Sequence, residues 1–471
     1  MRAFYIRIAL TFVLASFGSN ALALTLEQFW QETLAHDPRI QAYRQRLEAA
    51  SENQPLALAA LLPQISLQAS ERWNQHSIQK PYDKYLSDSV TLFRRRHNFY
   101  GKWSVQIRQA LFDWSAIQNY KESGDQVAAA AAQYQDSFQK LERETIITYV
   151  NWLLAYANLK SLLDTEKGLA RQAFDAKGRY EAGTTGILGA EETQVALDKI
   201  KAQLAVAQGQ WLASGAMIKQ FSGKNAPTAA PDLPVAIDLP YLSEPRWKRQ
   251  AILHNPALAA ARFQLDAAQK GVGVAWGGFL PNLSLLLVHD WQSENGRLSY
   301  AYGAGPGSPT AGAGGNIPDP HRYVGSSASL ELSWSIFSGG AQQAALGQAQ
   351  YQEEENFSIL QATELYVLQT LRSEYAQFQS SLIEAKRYRN SLHLAEKAAK
   401  SADNGVSVGL ISQNNALADR QTALSVRKGL NDAITSSVTH FAYLSAAAGD
   451  LTPKIIQEIS KALTVCSGNC S

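Results

Sequence analysis

From Phe99 to Ile107 the chain alternates: Phe99, Gly101, Trp103, Val105 and Ile107 fall on one parity, and Tyr100, Lys102, Ser104, Gln106 and Arg108 on the other. The pattern returns in the second half. There Val324, Ala328, Leu330, Leu332, Trp334 and Ile336 share one face, and Ser327, Ser329, Glu331, Ser333 and Ser335 take the other. A period of two with one polar side predicts strands wet on one face. Strands are expected over 64–76, 99–112, 282–292 and 322–337. Beyond each second strand the period changes. Tyr134, Phe138, Leu141, Thr145, Tyr149, Trp152, Tyr156, Leu159 and Leu163 advance by three and four, as do Leu368, Leu371, Tyr375, Phe378 and Leu382. No proline interrupts 114–182 or 340–402. Each stretch therefore predicts one helix of roughly 65 residues, about 100 Å long at 1.5 Å per residue. Such helices outrun a compact domain and imply coiled-coil packing. Asp113 and Ser338 are their capping candidates, and glycine-bearing turns at Gly183 and Gly409 end them. Shorter helices are expected to return over 188–221 and 415–447.

The chain is two copies of one unit. His36-Asp37-Pro38 recurs as His254-Asn255-Pro256, and Leu62-Pro63 as Leu280-Pro281. Ile65, Ser66 and Leu67 match Leu283, Ser284 and Leu285. Val105 matches Leu330, Ile107 matches Leu332, and Leu111-Phe112 matches Ile336-Phe337. Helices are expected over 26–62 and 256–280; Asp37-Pro38 and Asn255-Pro256 read as an N-cap followed by a first-turn proline, so one helix is expected to start near 38 and another at 256. Each helix stops at a Leu-Pro step, since proline disfavours helix at the residue before it. The expected organisation is a first repeat over 24–222, a Pro-rich connector over 223–243, a second repeat over 244–449 and a C-terminal tail over 450–471.

Composition narrows the class. Arg2 and Arg7 precede an apolar run from Ile8 to Phe17, and Ala21-Leu22-Ala23 offers small residues for cleavage, so 1–23 reads as a secretory signal. Its apolar run is too short to span a bilayer as a helix, and no later run is long enough. Any membrane crossing must then use strands. The net charge of +2 argues against a nucleic-acid surface. Cys466 and Cys470 allow at most one small disulfide near the C-terminus. The eight histidines are scattered, no G-x-S-x-G elbow or phosphate loop occurs, and Glu353-Glu354-Glu355 reads as a solvated helix face. No enzymatic chemistry, metal or cofactor is indicated. The inter-strand loops are polar over 75–98, including Arg94-Arg95-Arg96, and rich in Gly and Pro over 293–320. They suit the outer face of an outer-membrane barrel.

Four strands cannot close a barrel, and lipid does not tolerate open strand edges. Copies of the chain must therefore share one, with the helices continuing as a coaxial tube. A structural coiled-coil protein, such as an adhesin stalk, is the rival reading. It shares the long helices but has no use for two strand pairs wet on one face.

The duplicated order, the His-Asn-Pro entry, the Leu-Pro-x-Leu step, Phe-Ser-Gly-Gly at 337–340 and Val-Gly-Leu-Ile-Ser-Gln at 408–413 resemble the TolC family of outer-membrane efflux and secretion proteins. The resemblance covers essentially the whole mature chain. It implies a mainly α fold with a transmembrane β part: a long coiled-coil α-barrel plus four strands per protomer of a shared, trimeric 12-stranded β-barrel. It also implies a homotrimer in the cell outer membrane with its helices in the periplasm. As partners it implies the lipid bilayer, a periplasmic adaptor (membrane fusion) protein and an inner-membrane ABC or proton-driven transporter. The function implied is a passive exit duct for type I protein secretion or multidrug efflux. The absence of a lipid-anchor cysteine inclines the reading toward protein secretion. The family narrows its periplasmic mouth with aspartates near the two turns. This sequence departs from that pattern, with Asn415 six after Gly409, Ala418 three further on, and Gly189 six after Gly183. Glu191, Glu192 and Asp419 lie close by. They either supply the charge of the mouth or are ordinary helix-start acids favoured by the macrodipole. Gly183, Thr184, Gly409 and Leu410 are the expected adaptor-contact tip.

Overall fold

The computed structural model describes residues 24–82, 90–184, 186–240, 242–303, 315–318, 320–407 and 410–464. The signal segment 1–23, Gly409, Cys466 and Cys470 lie outside them. The first repeat holds α1 (Leu26–His36), α2 (Pro38–Ser51), α3 (Asn53–Ala59), β1 (Gln64–Tyr82), β2 (Val90–Phe112), α4 (Trp114–Glu181) and α5 (Ile187–Ser222). The second holds α6 (Glu244–His254), α7 (Pro256–Gly277), β3 (Asn282–Gly303), β4 (Gly315–Pro318), β5 (His321–Ser333), α8 (Ala341–Ser407) and α9 (Gln413–Ala447). A last helix, α10 (Pro453–Thr464), follows.

Several bounds differ from the sequence reading. The stretch 26–62 holds three helices, one of which opens at Pro38. Pro38 and Pro55 lack the amide that a continuous helix needs, and each sits in the first turn of a new one. The strands run well past the alternating positions, into stretches expected as loops. Their ladders continue pair by pair to Tyr82↔Val90 and from Thr91↔Gly303. Backbone pairing, not side-chain pattern, sustains them there. The strand expected to reach 337 stops at Ser333. α6 lies inside the second repeat, where no separate helix was expected. Part of the expected tail is α10, whose Ile456, Ile459, Ser460 and Leu463 are buried at helical spacing.

The chain divides into two compact units. One comprises residues 46–132 and 259–362. It carries an antiparallel sheet in the order β1-β2-β3-β5, with the short β4 also on β3. Ser115 Oγ donates to the Val274 carbonyl at 3.0 Å, and a Cβ on Gly277 would stand 2.2 Å from that Oγ. Only glycine lets α7 approach α4 so closely.

The other unit comprises residues 24–45, 133–258 and 363–464 among those described. Its core gathers Phe29 and Trp30 of α1, Tyr149 and Trp152 of α4, Phe221 of α5, Trp247 of α6, Phe378 of α8, Phe441 of α9 and Ile459 of α10. Trp152 stacks on Trp211 at 5.5 Å, and Phe378 lies 5.5 Å from Phe441. A capping box of Thr25 and Gln28 starts α1, and the Tyr149 hydroxyl donates to the Leu24 carbonyl at 2.8 Å. Asn255 works at both ends of its side chain: it accepts from the Leu258 amide and donates to the Ala447 carbonyl, both at 2.9 Å. Gly449 ends this stretch in the left-handed region (φ 71°), and a Cβ there would meet the His254 carbonyl oxygen at 2.2 Å. The connector has no helix or strand among its described residues. It is held by Lys160–Asp232 at 2.7 Å and by burial of Ala230 and Leu239.

Within this core Glu142 of α4 is 1% exposed, and its Oε1 has no hydrogen-bond partner among the described residues. Burial pushes its carboxyl up to about 8.

Candidate functional site

The register of the sheet fixes its two faces. Ile65 opposes Ile107, Leu67 opposes Val105 and Ala69 opposes Trp103. Ile107 opposes Leu287 and Trp103 opposes Trp291, which in turn oppose Ala328 and Val324. These side chains make one mainly apolar face, with Glu71, His289, Ser293 and Ser326 among its polar exceptions. Ile65 and Leu67 are each 70% exposed, Leu330 67% and Leu332 69%. An apolar face of this extent is not left to water without a partner. The nine residues from Ile65 to Trp73 run about 30 Å at 3.4 Å per residue, shortened by any strand tilt. That suits an outer-membrane apolar band of about 25 Å.

The opposite face is polar, with Ser66, Gln68, Ser70, Arg72, Lys102, Ser104, Gln106, Asp290, Gln292, Ser327 and Ser329 in register. Arg108 of β2 reaches Glu331 of β5 at 3.3 Å, across β3. Leu286 and Val288 are its apolar exceptions. Among the described residues β1 pairs only with β2, and β5 only with β3. Both outer edges therefore present unpaired backbone groups. Among the described residues no helix is long and apolar enough to cross a membrane.

The second feature is the pair of helix turns. Gly183 (φ 72°) closes α4, with its amide donating to the Tyr180 carbonyl at 2.9 Å. Thr184 donates from both its amide (3.0 Å) and its hydroxyl (2.8 Å) to the Arg179 carbonyl. In the other turn the Leu410 amide donates to the Gly405 carbonyl at 2.8 Å, and the Leu410 side chain is 82% exposed. Ser412 caps α9 by accepting from the Asn415 amide at 3.3 Å. Gly183, Thr184 and Leu410 thus do sit at exposed turns.

The expected gate residues occupy the following helix starts. Gly189 and Glu192 are half-buried on α5, with Glu191 exposed; Asn415 is exposed and Asp419 half-buried on α9. The structure brings none of them together by hydrogen bond or ion pair among the described residues. A polar cluster near these turns lies instead among residues not singled out from the sequence. Arg420 of α9 holds Asp403 of α8 through Nη2 at 2.6 Å and Nε at 3.1 Å. Gln172 of α4 donates to the same carboxylate at 2.7 Å. Gly168 of α4 leaves the room that the guanidinium fills, since a Cβ there would lie 2.3 Å from Nη1. One heptad further from the turn, Arg427 pairs with Glu396. Opposite charges repeating at heptad spacing on either side of the turn were the signal available in the sequence.

The comparisons with known proteins agree with this geometry. The sequence profile of the family described as outer membrane efflux protein matches residues 29–224 and 247–450, one match per repeat. The chain is 24% identical over 450 residues to the alkaline protease secretion protein AprF of Pseudomonas aeruginosa, covering 92% of this chain and 86% of that protein. It is 22% identical to the outer membrane protein TolC of Escherichia coli, covering 96% and 87%. Among solved structures it superposes on the outer membrane protein VceC of Vibrio cholerae with a TM-score of 0.72 at 17% identity, covering 90% of this chain and 96% of that one. On the outer membrane channel CmeC of Campylobacter jejuni the TM-score is 0.69 at 17% identity, covering 98% of each. With the profile spanning most of both repeats and the apolar sheet face in place, the chain belongs to the outer membrane efflux protein family, whose members are outer-membrane channels of efflux and type I secretion.

Proposed function

We propose that the chain is one protomer of a homotrimeric channel-tunnel. It serves as a passive exit duct, docking at its helix turns onto a periplasmic adaptor and an inner-membrane ABC or proton-driven transporter. The observation that carries this reading is a four-stranded sheet with one exposed apolar face, one polar face and two open edges. Lipid forbids such edges, so sister copies complete the barrel; three copies bring twelve strands, with the polar face turned to water. The exported cargo is a protein. Supporting this, two relatives bear the names alkaline protease secretion protein and proteases secretion protein. Membership of a family of channels leaves the adhesin-stalk reading without support.

The experiment is fractionation followed by reconstitution. The processed protein is expected in the outer-membrane fraction as a heat-modifiable oligomer, and to give discrete conductance steps in a planar bilayer. A processed chain recovered in the soluble periplasm, or an oligomer that never conducts, overturns the reading.

Closure of the inner mouth falls to the Asp403–Arg420–Gln172 cluster, in place of the aspartates that this sequence lacks. These side chains tie α8 and α9 to α4. Arg420→Ala is expected to raise single-channel conductance, and Asp403→Ala to do the same. The double mutant is expected to add little beyond either, because both variants break one contact. Unchanged conductance in both single variants places the gate elsewhere.

A further inference from the structure

The internal duplication supplies a template for the seam between copies. β2 is the second strand of the first repeat and β3 the first strand of the second, and their ladder is recorded residue by residue. The first strands of the two repeats correspond through Ile65 and Leu283, and the second strands through Val105 and Leu330. The one junction of this kind missing from the chain joins β5 to a first-repeat β1. No β1 is free for it within the same chain. β1 and β5 are opposite edges of a four-stranded sheet, about 14 Å apart at 4.8 Å per strand.

A second observation shows where that neighbour is missing. β2 runs on past Arg108, the last residue paired with β1, to Phe112, and it does so by pairing with β3. β5 stops at Ser333, the counterpart of Arg108, which is the last residue its own partner β3 can pair. Residues 334–337 correspond to 109–112 and form no strand, although they alternate as one. Their start is already in place. Trp334 Nε1 donates to the Phe279 carbonyl at 3.1 Å, as its counterpart Gln109 Nε2 donates to the Leu61 carbonyl at 2.7 Å. Ile336 and Phe337 are each 80% exposed.

We infer that β5 pairs antiparallel with β1 of the neighbouring copy in the register of the β2–β3 ladder, and that Trp334–Phe337 become strand only in that pairing. The inference rests on the shared barrel proposed above. Carried through the correspondence, Val105↔His289 becomes Leu330↔Glu71 of the neighbouring copy. Gln106↔Val288 becomes Glu331↔Ser70, Gln109↔Leu285 becomes Trp334↔Leu67, and Phe112↔Leu283 becomes Phe337↔Ile65. The bulge between Ala110 and Phe112 moves to Ile336. Parity agrees with this register and excludes any slip by an odd number of residues. It sets Leu330 and Leu332 beside Glu71 and Ala69 on the apolar face, and Glu331 beside Ser70 on the polar face, with Arg72 two residues along. A slip by one residue would turn every apolar side chain of β5 to the wrong side.

The test is cysteine cross-linking in a background with Cys466 and Cys470 replaced by serine. Leu330→Cys/Glu71→Cys and Glu331→Cys/Ser70→Cys are adjacent rungs, so one of them has the narrower of the two antiparallel Cα spacings (about 4.5 and 5.5 Å). Both spacings fall within the reach of a disulfide. Oxidation in outer membranes is expected to give covalent dimers and trimers on reducing-agent-free denaturing gels for at least one of these pairs. Leu330→Cys/Ile65→Cys, six residues out of register, is expected to give none. An oligomer intact on native gels that cross-links only through the out-of-register pair, or through none of the three, overturns the register while leaving the shared barrel standing. Absence of any oligomer on native gels, for these variants and for the unmodified chain, removes the barrel itself and the register with it.

Discussion

Arginine at Ala69 is expected to keep the chain out of the outer membrane, whereas arginine at the adjacent Gln68 is expected to leave insertion intact. Ala69 lies midway along the apolar run from Ile65 to Trp73, opposite Trp103, and Gln68 lies on the polar face opposite Ser104. At the midplane of an outer-membrane barrel, arginine on the lipid face costs about 2–4 kcal/mol. In a symmetric trimer that cost recurs in every copy. The same side chain on the polar face meets water and costs little. The measurement is the yield of heat-modifiable oligomer in the outer-membrane fraction for each variant. Equal yields, or a greater loss with Gln68→Arg, would show that the faces are not lipid and water as assigned.

Replacing Glu142 by glutamine is expected to stabilise the helical unit at pH 8, and by much less at pH 5. Glu142 is buried, and its carboxyl is held up to about 8 against an ordinary value of 4.5. Between those two pH values the native chain keeps a proton that the unfolded chain has released. Stability therefore falls as pH rises from 4.5 towards 8, and levels off above it. A shift of this size is worth on the order of a few kcal/mol. Glutamine keeps the shape of the protonated acid and has nothing to ionise, so the variant removes this slope. Thermal unfolding of the detergent-solubilised oligomer, followed at pH 5, 6.5 and 8, measures the effect. Expected is a gap in Tm between the two proteins that widens with pH. A constant gap, or one that narrows, would mean that Glu142 is ionised or solvated in the native state.

The Asp403–Arg420–Gln172 cluster was not legible in local signals. Gly189 and Asn415 were reached by counting from the turn glycines, and Glu191, Glu192 and Asp419 by their charge. Position along the chain says nothing of which helix faces which. Asp403 and Arg420 meet because α8 and α9 are antiparallel neighbours, and Gln172 joins them because α4 lies alongside. The separate helices α6 and α10 escaped for a related reason. α10 is short, and its four buried positions are legible only beside an apolar surface to receive them.

What the sequence alone determined is whatever rests on period and parity. The strand faces follow from alternation of two, because successive side chains point to opposite sides of a pleated strand. The long helices follow from unbroken runs without proline, and the duplication from two Pro junctions in the same order. Tertiary structure alone decided where ladders continue and where they stop. β1 and β2 extend through polar residues because each supplies the other's hydrogen bonds. β5 ends at Ser333, four residues short of its own alternation, because a backbone group pairs only where another strand offers a partner.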